Sequence, residues 1–154
     1  MRQVTLCLLI KDNEVLLAMK KRGFGEGKWN GVGGKVQDGE RIEDAAIREM
    51  EEEIGVTAHT DNMDKVGQFR FYFIDNPDWN QEMHVYFIRE WDGEPSESDE
   101  MLPQWYRHEE IPFDSMWQDD RHWLPRALAG EKLEGDFHFA DGGATLEKWD
   151  IQRV

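Results

Sequence analysis

Residues 34–56 read GKVQDGERIEDAAIREMEEEIGV, and the fold follows from how this stretch is parsed. Its first part is a tight loop, with Gly34, Asp38 and Gly39 supplying turn conformations. Its second part is a helix from about Ile42 to Ile54. There Ile42, Ala46, Met50 and Ile54 recur every four residues and make one apolar face. Gly55 falls where a left-handed C-terminal cap is expected. Glu49, Glu52 and Glu53 stand at i, i+3 and i+4, so they share one helix face. Alone, such a cluster is a solvated acidic face, and like charges so spaced destabilise an isolated helix by roughly 0.2–0.5 kcal/mol per pair. Beside a glycine-rich loop whose carbonyls can turn inward, the same carboxylates make an oxygen-only site. That site suits Mg²⁺, with Mn²⁺ as the alternative, since both keep waters and bridge to substrate phosphates.

Gly34, Glu40, Arg48, Glu49, Met50, Glu52, Glu53, Gly55 and Val56 match the Nudix box at every defined position. The chain thus resembles the Nudix hydrolases, which cleave nucleoside diphosphates linked to another group with the help of divalent cations. The resemblance implies an α/β protein, an α/β/α sandwich around a mixed sheet, formed by residues 1–154 as a single domain. Phosphoanhydride cleavage needs charge neutralisation, a placed water and a base. Glu49 and Glu53, with Glu52 beside them, are the candidate metal ligands, and the Gly33 carbonyl is the best loop candidate to complete the set. Glu53 or Glu52 is the candidate base, and their spacing does not choose between them. In the Nudix pattern Arg48 pairs with a box glutamate, so Glu40 and Arg48 are expected to tie loop to helix.

Outward from the box, residues 3–10 read as a strand buried on both faces, and Glu14–Met19 as its hairpin partner across Asp12-Asn13. KKRGFGEGKWNGVGGK follows, at residues 20–35. Its six glycines let the backbone approach a ligand closely. Lys20, Lys21, Arg22, Lys28 and Lys35 make it a phosphate-facing loop rather than a charge-compensating surface segment. Past the helix, Phe69–Ile74 alternates as a strand, Asp75–Asn80 is a turn-rich connection, and Met83–Arg89 closes a second hairpin. A short strand is expected over 100–106. A helix over Trp117–Ala129, capped by Asp114 or Ser115, comes next. Two last strands, 132–139 and 144–154, are joined by Asp141-Gly142-Gly143.

The bulk properties narrow the partners. The chain has 154 residues, long enough for a sizeable core. It carries 33 acidic against 18 basic residues, a net charge of -15. That balance disfavours a nucleic-acid backbone or an anionic membrane as partner. A small phosphorylated substrate remains compatible, because bound cations invert the local field. The single cysteine, Cys7, sits in an apolar run and is expected to be a small core residue. No basic leader precedes a long apolar stretch, and the first apolar run stops at Lys11, too short to span a bilayer. The expectation is a cytoplasmic monomer.

Beyond the box, the resemblance reaches one branch of the family, the oxidised-purine nucleoside triphosphatases. It is carried by 19–25 (MKKRGFG), 29–31 (WNG), 33–37 (GGKVQ), 97–101 (ESDEM), 111–113 (IPF) and Met116-Trp117 with Asp119-Asp120. The resemblance adds Glu100 to the metal site. It places Asn30, Asp119 and Asp120 against the base edge, Trp117 and Phe24 on its face, Phe71 in the same pocket, and Thr5 and Lys20 toward the sugar. An amide carries both donor and acceptor groups, and two adjacent acids tend to share a proton, so such a pocket can read different oxidised purines. One departure stands out: Gln81 occupies a position where the family carries an apolar methionine, and Met83 is a possible substitute. The implied activity is hydrolysis of 8-oxo-dGTP and 2-hydroxy-dATP type nucleotides to the monophosphate and pyrophosphate, which keeps damaged precursors from polymerases. The alternatives are another Nudix specificity (ADP-ribose, dinucleotide or methylated purine) and a non-catalytic nucleotide sensor.

Overall fold

The computed structural model describes all residues from Met1 to Val154. Eight strands form one mixed sheet: β1 (Arg2–Lys11), β2 (Glu14–Lys20), β3 (Trp29–Asn30), β4 (Met63–Phe73), β5 (Gln81–Ile88), β6 (Met101–Arg107), β7 (Leu133–Ala140) and β8 (Thr145–Arg153). Their order is β3-β2-β1-β5-β4-β7-β8, with β6 pairing β2. Two pairs are parallel, β1 with β5 and β4 with β7, and the others are antiparallel. The two α-helices, α1 (Ile42–Ile54) and α2 (Asp120–Leu128), cover opposite faces of this sheet.

Strand alternation splits the core accordingly. Leu6 and Leu8 of β1 and Val85 and Phe87 of β5 face α2, where they meet Trp123 and Leu124. Cys7, Leu9, Tyr86 and Ile88 face α1 and meet Ala46, Met50 and Ile54. β1 is therefore buried on both faces from Val4 to Ile10, as its unbroken apolar run requires. Cys7 is part of the core. The α/β/α sandwich is present as expected, and α1 has the expected bounds, with Gly55 at φ 71° as its left-handed cap.

One feature of the sheet opens the site. β1 and β2 are paired only beside their turn, at Ile10 with Val15 and Lys11 with Glu14. Beyond that point they part. The chain from residue 29 to 36 fills the gap, first against β2 (Ala18 with Asn30) and then against β1 (Cys7 with Val32, Val4 with Lys35). Gly33 is at the tightest point, where a side-chain Cβ would lie 1.8 Å from the Thr5 carbonyl oxygen. Gly33→Ala is therefore expected to lower stability by about 1–3 kcal/mol, measurable by urea denaturation.

Two boundaries differ from the sequence reading by three residues or more. β4 starts at Met63, six residues before Phe69, because a bulge between Lys65 and Gly67 breaks the alternation that would have marked it. The second helix starts at Asp120 rather than Trp117, and neither Asp114 nor Ser115 caps it. Phe113–Ser115 is a separate single 3₁₀ turn, and Asp119 is the residue flanking the helix start.

Candidate active site

The box stretch is held together by Arg48. Its Nε donates to Glu40 Oε2 at 2.8 Å and its Nη2 to Glu40 Oε1 at 3.0 Å, a two-pronged ion pair joining loop to helix. Nη2 also donates to the Lys35 carbonyl, and Nη1 to Glu49 Oε1 at 2.9 Å. The expected Glu40–Arg48 tie is present.

The box glutamates of α1 do not share one environment. Glu49 and Glu53 turn toward the sheet, whereas the Glu52 side chain is 59% exposed. Glu53 is the centre of the group. The charges of Glu49 and Glu100 act on its carboxyl in one sense, and Lys20 and the Gly33 backbone in the other. Burial first, and then the negative charge of Glu49, push the Glu53 carboxyl up to about 8. Its Oε2 is buried without a hydrogen-bond partner. Gly34 leaves room for Glu49, since a Cβ there would lie 2.6 Å from the Glu49 carboxyl carbon.

A divalent cation fits this donor set. An orphaned buried carboxylate oxygen, a second inward carboxylate and a nearby backbone segment are all hard oxygen donors. As the side chains stand, no three acidic, histidine or cysteine groups converge tightly enough to hold an ion. Glu49 is drawn to Arg48, and Glu100 to Arg22 at 2.8 Å. Each meets its arginine through Oε1 alone, which leaves Oε2 outside the ion pair.

Next to this cluster, where β1 and β2 diverge, lies a cavity of about 570 Å³. It brings together every residue assigned to the base and sugar: Thr5, Lys20, Phe24, Asn30, Phe71, Trp117, Asp119 and Asp120. Gly33 lines it as well. Phe24, nearly half exposed, packs against Trp117 with ring centroids 5.2 Å apart. Asn30 turns its Oδ1 back to the Gly31 N–H at 2.9 Å, so its NH₂ group is the part left to meet a ligand. Asp119 and Asp120 are almost wholly buried. Asp119 accepts from Trp123 Nε1 at 2.9 Å, while Asp120 Oδ2 has no partner. Burial pushes Asp119 up to about 6, against the pull of that hydrogen bond. Asp120 is raised well above the usual carboxylate range by burial and then by Asp119.

The cavity's charge runs against that of the whole chain. Arg2, Lys20, Lys28 and Lys35 line it, and none is in an ion pair, whereas Lys21, Arg22, Arg48, Arg70 and Arg126 are each tied to a carboxylate. Free cations in a protein of net charge -15 mark a seat for an anion. Arg2 and Trp79 are among the walls that sequence reading missed. Trp79 sits in the connection between β4 and β5 and packs against Phe24 at 5.0 Å. No local spacing marked it, because its partner is 55 residues earlier. Gln81 and Met83 both line the cavity, so the methionine joins the glutamine there without displacing it.

The NUDIX domain model matches residues 1–127. The chain belongs to the Nudix family. Its relatives include the oxidized purine nucleoside triphosphate hydrolase of Mus musculus, 46% identical over 94% of this chain and 91% of the relative. The protein of the same description from Danio rerio is 48% identical, over 94% of this chain and 90% of its own length. Among solved structures, a MutT protein from Bacillus halodurans superposes with a TM-score of 0.83 at 26% identity. That match covers 98% of this chain and 97% of the other. As a Nudix hydrolase the chain has an intact box in which all the acidic positions are filled, which separates it from a sensor that has lost its carboxylates. No helix is long and apolar enough to cross a membrane.

Proposed function

We propose that this Nudix hydrolase cleaves oxidised purine nucleoside triphosphates, of the 8-oxo-dGTP and 2-hydroxy-dATP type, to the monophosphate and pyrophosphate. It would do so as a cytoplasmic monomer that clears damaged precursors from the nucleotide pool. The observation that carries the reading is the buried pair Asp119–Asp120 facing an aromatic cavity beside Asn30, next to the box. Two close acids, one holding a proton, offer a donor and an acceptor together. An added keto oxygen turns a neighbouring ring nitrogen into an N–H, and a donor–acceptor edge of that kind is what such a pair can tell from an undamaged base. Identities of 46% and 48% to two oxidized purine nucleoside triphosphate hydrolases support the same reading.

In this assignment Trp117 and Phe24 stack on or wall the base, Phe71 backs the pocket, Thr5 and Lys20 face the sugar side, and the unpaired Arg2 and Lys35 seat the phosphates. Glu49, Glu52, Glu53, Glu100 and the Gly33 carbonyl would hold Mg²⁺, or Mn²⁺ in its place. When bound, the ion would supply charge neutralisation for the phosphates. Glu53 is the better placed of the two candidate bases, since it lies inside the cluster while Glu52 faces solvent. Its unpartnered Oε2 can take the proton of the attacking water. Arg48 keeps loop and helix in register throughout, through Glu40.

The test is pyrophosphate release from 8-oxo-dGTP, 2-hydroxy-dATP, dGTP and ADP-ribose at equal concentration with Mg²⁺. The expected order puts the two oxidised purines first. Equal rates on dGTP, or faster turnover of ADP-ribose, would replace this substrate assignment with another Nudix specificity.

A further inference from the structure

Lys28 lies in the connection between β2 and β3, and its backbone is tied at both ends. Its N–H donates to the Gly25 carbonyl at 3.0 Å, and its carbonyl accepts from the Lys20 N–H at 3.2 Å. The side chain is half-buried, lines the cavity and has no ion-pair partner. Nζ stands 5.4 Å from the centroid of a Trp117 ring. Its positive charge also acts on Asp120, the acid whose Oδ2 is buried and unpartnered. A restrained cation and a free carboxylate oxygen thus face one cavity beside one stacking ring.

We propose that Lys28 is a specificity-determining residue which, with Asp120, forms a donor–acceptor pair reading a lactam edge of the base, an N–H beside a C=O. The proposal rests on the reading of the cavity as a purine site. An ammonium offers three donors and no acceptor, and an ionised carboxylate only acceptors. Asp120 would take the ring N–H and Lys28 would give to the adjoining keto oxygen. Adenine has no such edge: its N1 is an acceptor beside an amino group. The 2-hydroxy derivative in its keto form has N1–H next to C2=O and matches the pair. Asn30 offers the base a separate, neutral donor, its NH₂ group, since its oxygen is bound to the Gly31 N–H.

The experiment measures kcat/KM for 2-hydroxy-dATP and for dATP in the wild type, Lys28→Met and Lys28→Arg, with melting temperatures as a folding control. Losing a hydrogen bond from a charged donor is expected to lower the 2-hydroxy-dATP value in Lys28→Met about 10–100-fold. The dATP value should change little, and Lys28→Arg should restore discrimination. An equal fall on both nucleotides would assign Lys28 to the triphosphate, or to a general hold on Trp117, and overturn the proposal. So would no fall on either. A wild type that does not prefer 2-hydroxy-dATP to dATP fails at an earlier step. It removes the purine reading itself, before any substitution is made.

Discussion

Glu53→Gln is expected to lower kcat by about 10²–10⁴-fold, the size of effect that follows removal of a positioned general base. Glutamine has nearly the same shape, so packing against the Gly33 segment is preserved. What disappears is a carboxylate that burial and Glu49 already hold at about 8. At neutral pH a carboxyl held at about 8 is largely protonated, so glutamine replaces one neutral group with another and the melting temperature should be nearly unchanged. Steady-state pyrophosphate release together with thermal denaturation checks both halves. A folded variant that turns over at the wild-type rate would overturn the placing of Glu53 at the centre of the site. The matching change at Glu52, which faces solvent, should cost less.

Asp120→Asn separates binding from stability. If the acid pair reads the base, losing one charged acceptor should reduce kcat/KM for oxidised purines about 10–100-fold. The same change should stabilise the protein at neutral pH, because an amide cannot ionise and burial beside Asp119 makes ionising Asp120 costly. The direction with pH follows from the raised values. Asp119 is pushed up to about 6 and Asp120 is higher than an ordinary carboxylate, so the folded state holds protons that the unfolded state has already released. A raised carboxyl contributes its stability in full below its unfolded value, near 3.8, and that contribution is lost as pH rises through the folded value. The wild type should therefore lose stability relative to Asp120→Asn as pH rises above about 4. Melting temperatures of the two proteins across that range give the answer. A constant gap would mean that the pair is ionised throughout.

Much of the fold was legible because its signals are local. The four-residue spacing of Ile42, Ala46, Met50 and Ile54 and the glycine after it bound α1 correctly at both ends. The unbroken apolar run near the N-terminus marked a strand buried on both faces. Errors came where local signals were overridden. The bulge at Lys65–Gly67 hid the start of β4, and the chain before α2 uses its own 3₁₀ turn in place of a side-chain cap. Their place at the start of α2 would also suit Asp119 and Asp120 as first-turn acids favoured by its dipole. Their burial is what distinguishes them, and burial is a property of the assembled sheet and helix.

By itself the sequence marked out the Nudix box of this protein. The box carboxylates, glycines and Arg48 all fall within residues 34–56, and the geometry of one helix turn sets which of them share a face. Only the tertiary structure decided which glutamate turns inward, that four unpaired cations gather in an acidic chain, and that Trp79 and Lys28 stand on the walls of the same cavity. That cavity exists because β1 and β2 part beyond their turn and admit residues 29–36 between them. A gap between strands is made by long-range pairing, and no spacing within a single segment can encode it.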